Sequence, residues 1–138
     1  MSGTARTPAQ TWALAIGVVY LLVGIVGFAV TGFSNFFGHT YANKLIIFSL
    51  NPAHNVVHLL LGVVWIWASR TYDTAKTVNV VFGVVLLLVF LLGLLGLLKF
   101  LAIKGASDPD NYLHLVTGAA SVYFGTAGAL GRRTATAT

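Results

Sequence analysis

The sequence lacks cysteine and glutamate, and its only acidic residues are three aspartates. Without cysteine the chain has no disulfide framework, no thiolate metal site and no thiol nucleophile. Enzymes that need cysteine or glutamate are therefore excluded, and no nucleophile–base–acid set suggests a hydrolase, a transferase or a nucleotide-binding enzyme. Charged residues are also scarce, at 8% of the chain, whereas a typical soluble domain has about 25%. So few charges cannot cover the surface of a soluble protein of 138 residues.

Hydrophobic residues dominate what is present, at 57% of the chain. The segment from Trp12 to Gly32 has no charged residue and is long enough to span a bilayer core, which takes about 20 residues. The net charge of +5 includes no basic run beyond Arg132–Arg133, so nucleic-acid binding is not expected. Cations at helix ends instead favour contact with anionic lipid. The sequence therefore predicts an all-α integral membrane protein in contact with the lipid bilayer.

Four transmembrane helices are predicted from the apolar runs and the helix-start signals. Asn51-Pro52 and Asp108-Pro109 each pair an N-cap residue with a proline at the first helical position. The loop 33–50 is rich in aromatic residues, which favour the membrane interface, and one short helix is an option there. The predicted segments are a cytoplasmic tail at 1–10, a single four-helix domain at 11–131 with helices at about 12–32, 52–69, 77–99 and 110–130, and a disordered tail at 132–138.

Two matching motifs predict that the chain consists of two copies of one helical hairpin. Helix two contains Asn55-Val-Val-His-Leu-Leu-Leu-Gly62 and helix four contains Asn111-Tyr-Leu-His-Leu-Val-Thr-Gly118. Both read Asn-x-x-His-Leu-x-x-Gly, and both follow an N-cap residue and a proline at the start of the helix. Helices one and three also align, over 17–27 and 83–93. Because helices two and four would run in the same direction, this is a parallel repeat with its pseudo-two-fold axis along the membrane normal.

The lysine and arginine residues predict the orientation in the membrane. One side of the predicted bundle carries Arg6, Arg70, Lys76, Arg132 and Arg133, and the other carries Lys44, Lys99 and Lys104. The side with five cations is expected to be cytoplasmic, which places both termini in the cytoplasm. The starts of helices two and four then face the cell exterior or periplasm.

Polar residues in helices two and four form the candidate ligand-binding site. These residues are His54, Asn55, His58, Asn111 and His114. Asn55 and His58 share a helix face with small residues, as Asn111 and His114 do, because residues three or four apart are neighbours on a helix. Membrane helices turn such small and polar stripes toward protein partners. If helices two and four face each other, His58 and His114 meet near the pseudo-axis, in the outer part of the membrane core.

Three interpretations of these residues stay open. In the first, which we expect, asparagine and histidine only bond across helices, and no metal or cofactor is bound. In the second, His58 and His114 ligate the iron of haem b, or a metal ion is bound by His54 and His58, four residues apart, with His114 as a further candidate ligand. In the third, the histidines line a pocket for a lipid, a quinone or another small molecule.

The remaining polar residues and the glycines are assigned structural roles. Asp73, Asp108 and Asp110 lie in loops or at helix starts, where capping explains them. Asn79, near the start of helix three, is expected to bond a neighbour. The glycines expected to act as helix-packing notches are Gly17, Gly24, Gly27, Gly62, Gly83, Gly93, Gly96, Gly118 and Gly125.

The paired motifs, Asn51 to Gly62 and Asp108 to Gly118, resemble a family of small four-helix membrane proteins. The family is common in actinobacteria and is described as domain of unknown function 4383. The resemblance covers nearly the whole chain and implies a four-helix fold in a bacterial plasma membrane. It implies no activity, because none is established for the family. Asn55, His58, Asn111 and His114 match its recurring pattern.

Our first-choice function is a small non-enzymatic integral membrane protein that is a scaffold or an accessory subunit of a larger membrane complex. It would bind a membrane-protein partner, or self-associate through its glycine-bearing faces. The alternative is a haem- or quinone-binding redox protein that uses His58 and His114. A transporter or channel is not supported, because no charged residue lies at mid-membrane and neither repeat has a broken helix.

Overall fold

The computed structural model describes residues 4–130, and over these residues the predicted all-helical class with four helices is confirmed. The elements are α1 (Pro8–Thr31), β1 (Lys44–Leu45), β2 (Phe48–Ser49), α2 (Pro52–Ala68), α3 (Tyr72–Leu94), a 3-10 turn (Lys99–Leu101) and α4 (Pro109–Gly125). By length and composition, α1 and α3 can cross a membrane, and α2 is a shorter apolar helix. The predicted disordered tail 132–138 lies outside the described residues, as do residues 1–3 and Gly131.

Side-chain caps begin the helices. Thr7 and Gln10 form a capping box before α1, with Pro8 at its first position. Asn51 caps α2 by accepting a hydrogen bond from the His54 amide at 2.9 Å. Asp108 caps α4 by accepting from the Asp110 amide at 3.1 Å. The two cap-then-proline signals in the sequence therefore mark the observed starts of α2 and α4.

Three other helix bounds differ from the sequence prediction. Residues 8–10 belong to α1 and not to a tail, because the capping box starts the helix at Pro8. The third helix spans 72–94 instead of 77–99, because Thr71 caps it and Gly96 has a φ of +71°, which a right-handed helix cannot continue through. The fourth helix ends at Gly125 instead of 130, because Thr126 leaves helical geometry at φ −128° and ψ −105°. Apolar residues continue past both ends, which misled the prediction.

The first loop contains a small β-hairpin where one short helix had been an option. β1 and β2 pair antiparallel, with Lys44 opposite Ser49 and Leu45 opposite Phe48. The turn between them places Ile46 at a φ of +60° and leaves that side chain 84% exposed. The loop therefore presents an apolar tip at the end of the bundle where α2 and α4 begin.

Each helix packs chiefly against its chain neighbour, α1 with α2 and α3 with α4. The closest contacts involve glycines at aligned positions of the two pairs. A Cβ added to Gly62 would lie 2.8 Å from the Gly17 carbonyl oxygen, and one added to Gly118 would lie 3.0 Å from the Gly83 carbonyl oxygen. Both distances are too short for a side chain, so these glycines let the helices approach closely.

Asparagine and glycine make a second pair of equivalent contacts. A Cβ at Gly27 would overlap the side chain of Asn55, and one at Gly93 would overlap the side chain of Asn111. Gly24 and Gly125 likewise face a neighbouring helix of the same chain, whereas Gly96 has no atom within 3.7 Å of an added Cβ and terminates α3. These glycines therefore pack helices against each other within one chain.

The end of the bundle where α1 and α3 begin is called the Asn79 end. Asn79 is fully buried there; it accepts a hydrogen bond from Trp65 Nε1 at 3.1 Å and donates one to the Ala9 carbonyl at 3.0 Å. Trp12 Nε1 also donates to Ser121 Oγ at 3.0 Å. Asn79 thus joins three helices, where the sequence predicted a bond to one neighbour.

The opposite end, where α2 and α4 begin, is called the β-hairpin end. Asn51, the cap of α2, donates from its Nδ2 to the Gly38 carbonyl at 3.1 Å and to the Phe100 carbonyl at 2.8 Å. One side chain therefore ties the first loop to the connection between α3 and α4.

Candidate functional site

Three of the four histidines lie together inside the β-hairpin end. His54 and His58 belong to the first and second turns of α2, and His114 to the second turn of α4. Each histidine has one ring nitrogen, Nδ1 or Nε2, that belongs to a set of three lying within 4.8 Å of one another. All three side chains are buried, at 2%, 6% and 3% exposure. Helices that begin at the same end and face each other bring these residues together, as the polar stripes indicated.

Asp110 is a fourth member that the sequence analysis assigned to capping. The cap is in fact Asp108, and Asp110 is 1% exposed in the first turn of α4. Its Oδ2 lies 3.2 Å from His54 Nε2 and 3.5 Å from His114 Nε2. We call His54, His58, Asp110 and His114 the His–Asp cluster. A signal existed in the sequence, because Asp110 and His114 repeat the four-residue spacing of His54 and His58.

The rings of the cluster are packed closely. The ring centroids of His54 and His58 are 4.3 Å apart, and those of His54 and His114 are 6.2 Å apart. Tyr20 of α1 packs edge-on against His58 at 5.2 Å and shares a 3.2 Å hydrogen bond with Thr117 of α4. His54 therefore packs against both of the other imidazoles, more closely against His58.

Several polar atoms of the cluster have no hydrogen-bond partner among residues 4–130. These atoms are Nδ1 of His54, His58 and His114 and Oδ2 of Asp110, whose short contacts to the histidines lack hydrogen-bond geometry. Burying a polar group without a partner costs about 1–3 kcal/mol. Most buried polar groups in folded proteins are paired, so a cluster of unpaired ones is unusual.

The two candidate asparagines lie outside the cluster. Asn55 donates from Nδ2 to Thr31 Oγ1 at 2.9 Å, and Asn111 donates from Nδ2 to the Gly105 carbonyl at 2.6 Å. Both amide oxygens face glycines of the neighbouring helix. Their Nδ2 groups tie each helix start to the preceding helix or loop, whereas both amide oxygens have no hydrogen-bond partner among the described residues.

Two small cavities adjoin the cluster on the side of α1 and α4. Their volumes are about 110 and 50 Å³, and Val23, His58 and Leu113 line both. Pockets for drug-sized ligands measure about 300–1,000 Å³, whereas a water molecule takes about 30 Å³. These cavities are too small for a porphyrin, and their linings are almost wholly apolar.

The chemistry of the cluster follows from its donor atoms. Imidazole nitrogens and carboxylate oxygens are ligands of Zn²⁺ and related divalent transition ions. The fold and this site thus define a small all-helical protein with two membrane-length helices and a buried set of metal-ligating side chains.

The comparison with known families agrees with this class. The chain matches the family described as Domain of unknown function (DUF4383) over residues 10–127, and it belongs to that family. The match includes α2, α3, α4 and nearly all of α1, and it confirms the resemblance carried by the paired motifs. Curated proteins and solved structures give no significant match.

Proposed function

We propose that the chain is a four-span integral membrane protein of the bacterial plasma membrane that works as a non-enzymatic scaffold or accessory subunit. Support comes from the surfaces of the helices, each of which exposes large apolar side chains. They are Val18, Val19, Leu22, Ile25 and Val26 of α1, Val57, Leu60, Val63 and Trp67 of α2, Val81, Val84, Val85, Leu88 and Leu91 of α3, and Leu113, Leu115 and Val116 of α4. An apolar outer surface around a polar interior suits lipid and not water.

The lengths of the helices are compatible with four spans. α1 and α3 have 24 and 23 residues, and α2 and α4 have 17 each. Spanning helices contain about 17–25 residues, and a short one is accommodated by local thinning of the bilayer. The exposed Phe33, Phe37 and Ile46 at the β-hairpin end would lie at the interface and lengthen the apolar band.

The two helical hairpins are copies of one ancestral unit in this proposal. The contact of Gly62 with Gly17 corresponds to that of Gly118 with Gly83, and the contact of Asn55 with Gly27 corresponds to that of Asn111 with Gly93. Valine- and leucine-rich helices can align in sequence by chance. Such chance similarity does not explain why aligned positions make the same contacts.

Topology is tested by labelling single cysteines, since the natural chain has none. We expect a membrane-impermeant maleimide to label Ser34→Cys and Ser107→Cys on intact cells, and Thr4→Cys and Asp73→Cys only after lysis. All four positions are exposed, so accessibility reports the side of the membrane. Labelling of Ser34→Cys and Ser107→Cys from opposite sides would contradict four spans. If only Thr4→Cys and Asp73→Cys are labelled on intact cells, the orientation is the reverse of the one proposed.

The accessory role is tested by the size and content of the complex in native membranes. A subunit without a large soluble domain in its described residues meets its partners mainly within the bilayer. We therefore expect the tagged chain, extracted in mild detergent or in nanodiscs, to elute with a mass above one protomer and with defined partner proteins. Light scattering and mass spectrometry measure both. A monomer without partner proteins under both extraction conditions would contradict the accessory role.

A further inference from the structure

We propose that His54, His58 and His114 bind one divalent transition metal ion, with Asp110 as their carboxylate partner. This inference goes beyond the scaffold function, and it does not depend on how many times the chain crosses the membrane. It rests on the geometry of the His–Asp cluster, on its unpaired atoms and on the size of the space beside it.

The donor set indicates the class of ion. Three imidazoles and a carboxylate suit Zn²⁺, Cu²⁺, Ni²⁺ and Fe²⁺, whereas Ca²⁺ and Mg²⁺ prefer oxygen ligands only. The i, i+4 spacing of His54 and His58 brings both rings to one face of α2, as Asp110 and His114 share one face of α4. Two ligand-bearing helices that face each other can enclose an ion without help from flexible loops.

The distances are close to those of a tetrahedral site. Metal–nitrogen bonds of about 2.0–2.1 Å place neighbouring ligand atoms of a tetrahedron about 3.3 Å apart. The three imidazole nitrogens lie within 4.8 Å of one another, so a movement of about 1–2 Å by the side chains would bring them to that spacing.

Asp110 provides the second feature of a metal centre. A metal-ligating histidine almost always donates its other ring N–H to a carboxylate or carbonyl, which fixes the tautomer and the ring orientation. Asp110 Oδ2 lies beside the Nε2 atoms of both His54 and His114, at 3.2 and 3.5 Å. The carboxylate therefore lies where it would orient these two rings, or serve as a fourth ligand, once an ion is bound. The Nδ1 atom of each ring has no hydrogen-bond partner among the residues that the structure describes.

The unpaired atoms favour an ion over a purely structural network. A packing network is stabilising when its members bond each other, and here the three Nδ1 atoms do not. The adjoining cavities, of about 50 and 110 Å³, are too small for a haem. Three imidazole nitrogens within 4.8 Å of one another also leave no room for a porphyrin among them.

The ion would join the two halves of the molecule. His54 of α2 aligns with Asp110 of α4, and His58 aligns with His114, so each helical hairpin contributes the same two positions. A bound ion therefore crosslinks α2 to α4, two helices whose backbones do not otherwise contact each other.

The test is a metal titration of the full-length chain in mild detergent after treatment with a chelator. We expect one Zn²⁺ per chain by calorimetry, and an intense visible absorption with Co²⁺ that reports a tetrahedral nitrogen-ligated site. His58→Phe and His114→Phe should each weaken Zn²⁺ binding by about 100-fold or more, and Asp110→Asn by about 10–100-fold, the usual effect of losing a carboxylate that orients a ligand. His39→Ala, which removes the one histidine outside the cluster, should leave the affinity unchanged.

The proposal is overturned if wild type binds Zn²⁺ no more tightly than the triple variant His54→Phe, His58→Phe and His114→Phe, or if His39→Ala weakens binding as much as His58→Phe does. Circular dichroism and gel filtration show which variants fold. If the phenylalanine variants do not fold, the wild-type Co²⁺ spectrum and the Asp110→Asn titration decide. A featureless spectrum together with unchanged Asp110→Asn affinity refutes the site.

Discussion

The two ends of the bundle bury polar side chains in opposite ways. At the Asn79 end, Asn79 accepts from Trp65 and donates to Ala9, and Trp12 bonds Ser121. At the β-hairpin end, the members of the His–Asp cluster are as deeply buried, but their Nδ1 atoms and the Asp110 Oδ2 bond nothing within the described residues. The Asn79 end has the satisfied polar network expected of helix packing. The β-hairpin end has the donors of a ligand site.

This difference assigns separate tasks to the two ends. Polar groups that bond each other hold helices together, and in membranes such bonds are worth about 0.6 kcal/mol on average and up to about 1.7 kcal/mol. Polar groups that stay unpaired weaken the fold unless something binds them. The interpretation of the polar residues as packing residues therefore suits Asn79, and it does not suit the cluster. It suits Asn55 and Asn111 through their Nδ2 groups alone, because their amide oxygens have no partner among the described residues.

The largest expected effect on stability is at the Asn79 end. Asn79→Leu leaves the Trp65 Nε1–H without its acceptor and removes the bond to the Ala9 carbonyl, so we expect the free energy of unfolding to fall by about 2 kcal/mol. Reversible unfolding in mixed detergent and SDS micelles measures this loss. The Zn²⁺ affinity of the folded variant should not change, because the cluster lies at the opposite end. A stability equal to that of wild type would mean that the Asn79 bonds contribute nothing, and the comparison of the two ends would fail.

The smallest effect on stability is expected inside the cluster. In metal-free protein, His58→Phe replaces an imidazole that makes no hydrogen bond with an apolar ring, so the free energy of unfolding should stay within about 1 kcal/mol of wild type or rise. Added Zn²⁺ should stabilise wild type, by mass action, and not the variant. Unfolding with and without Zn²⁺ measures both. A loss above about 2 kcal/mol without metal would show that His58 has a packing role like that of Asn79.

Much of the fold could be predicted from local signals. Asn51-Pro52 and Asp108-Pro109 mark helix starts through chemistry that depends on a few neighbouring residues. Long uncharged apolar runs indicate the helices themselves. The bounds of α3 could not be predicted, because apolar residues continue beyond Leu94 and the polar segment after Thr71 is also able to form a helix. The β-hairpin was missed because two-residue strands depend on tertiary contacts and not on periodicity.

The candidate site could be predicted only in part. Helical spacing was enough to suggest that His58 and His114 share the interior, and His54 followed from its position one turn away. Asp110 was misassigned, because an acidic residue at a helix start has the same sequence signature whether it caps the helix or faces inward. Asn55 and Asn111 were included because they share the motif, although Gly27 and Gly93, which decide their orientation, lie in other helices.

The side chain of Asn51 has a consequence for the speed of exchange. It caps α2, three residues before His54, and also holds the carbonyls of Gly38 and Phe100, so the loops beside the cluster are fastened through one amide. Opening this end requires several hydrogen bonds to break together. The rates at which an ion binds to and leaves the His–Asp cluster are then set by how often these hydrogen bonds open. A bound ion can therefore dissociate slowly even where its affinity is modest.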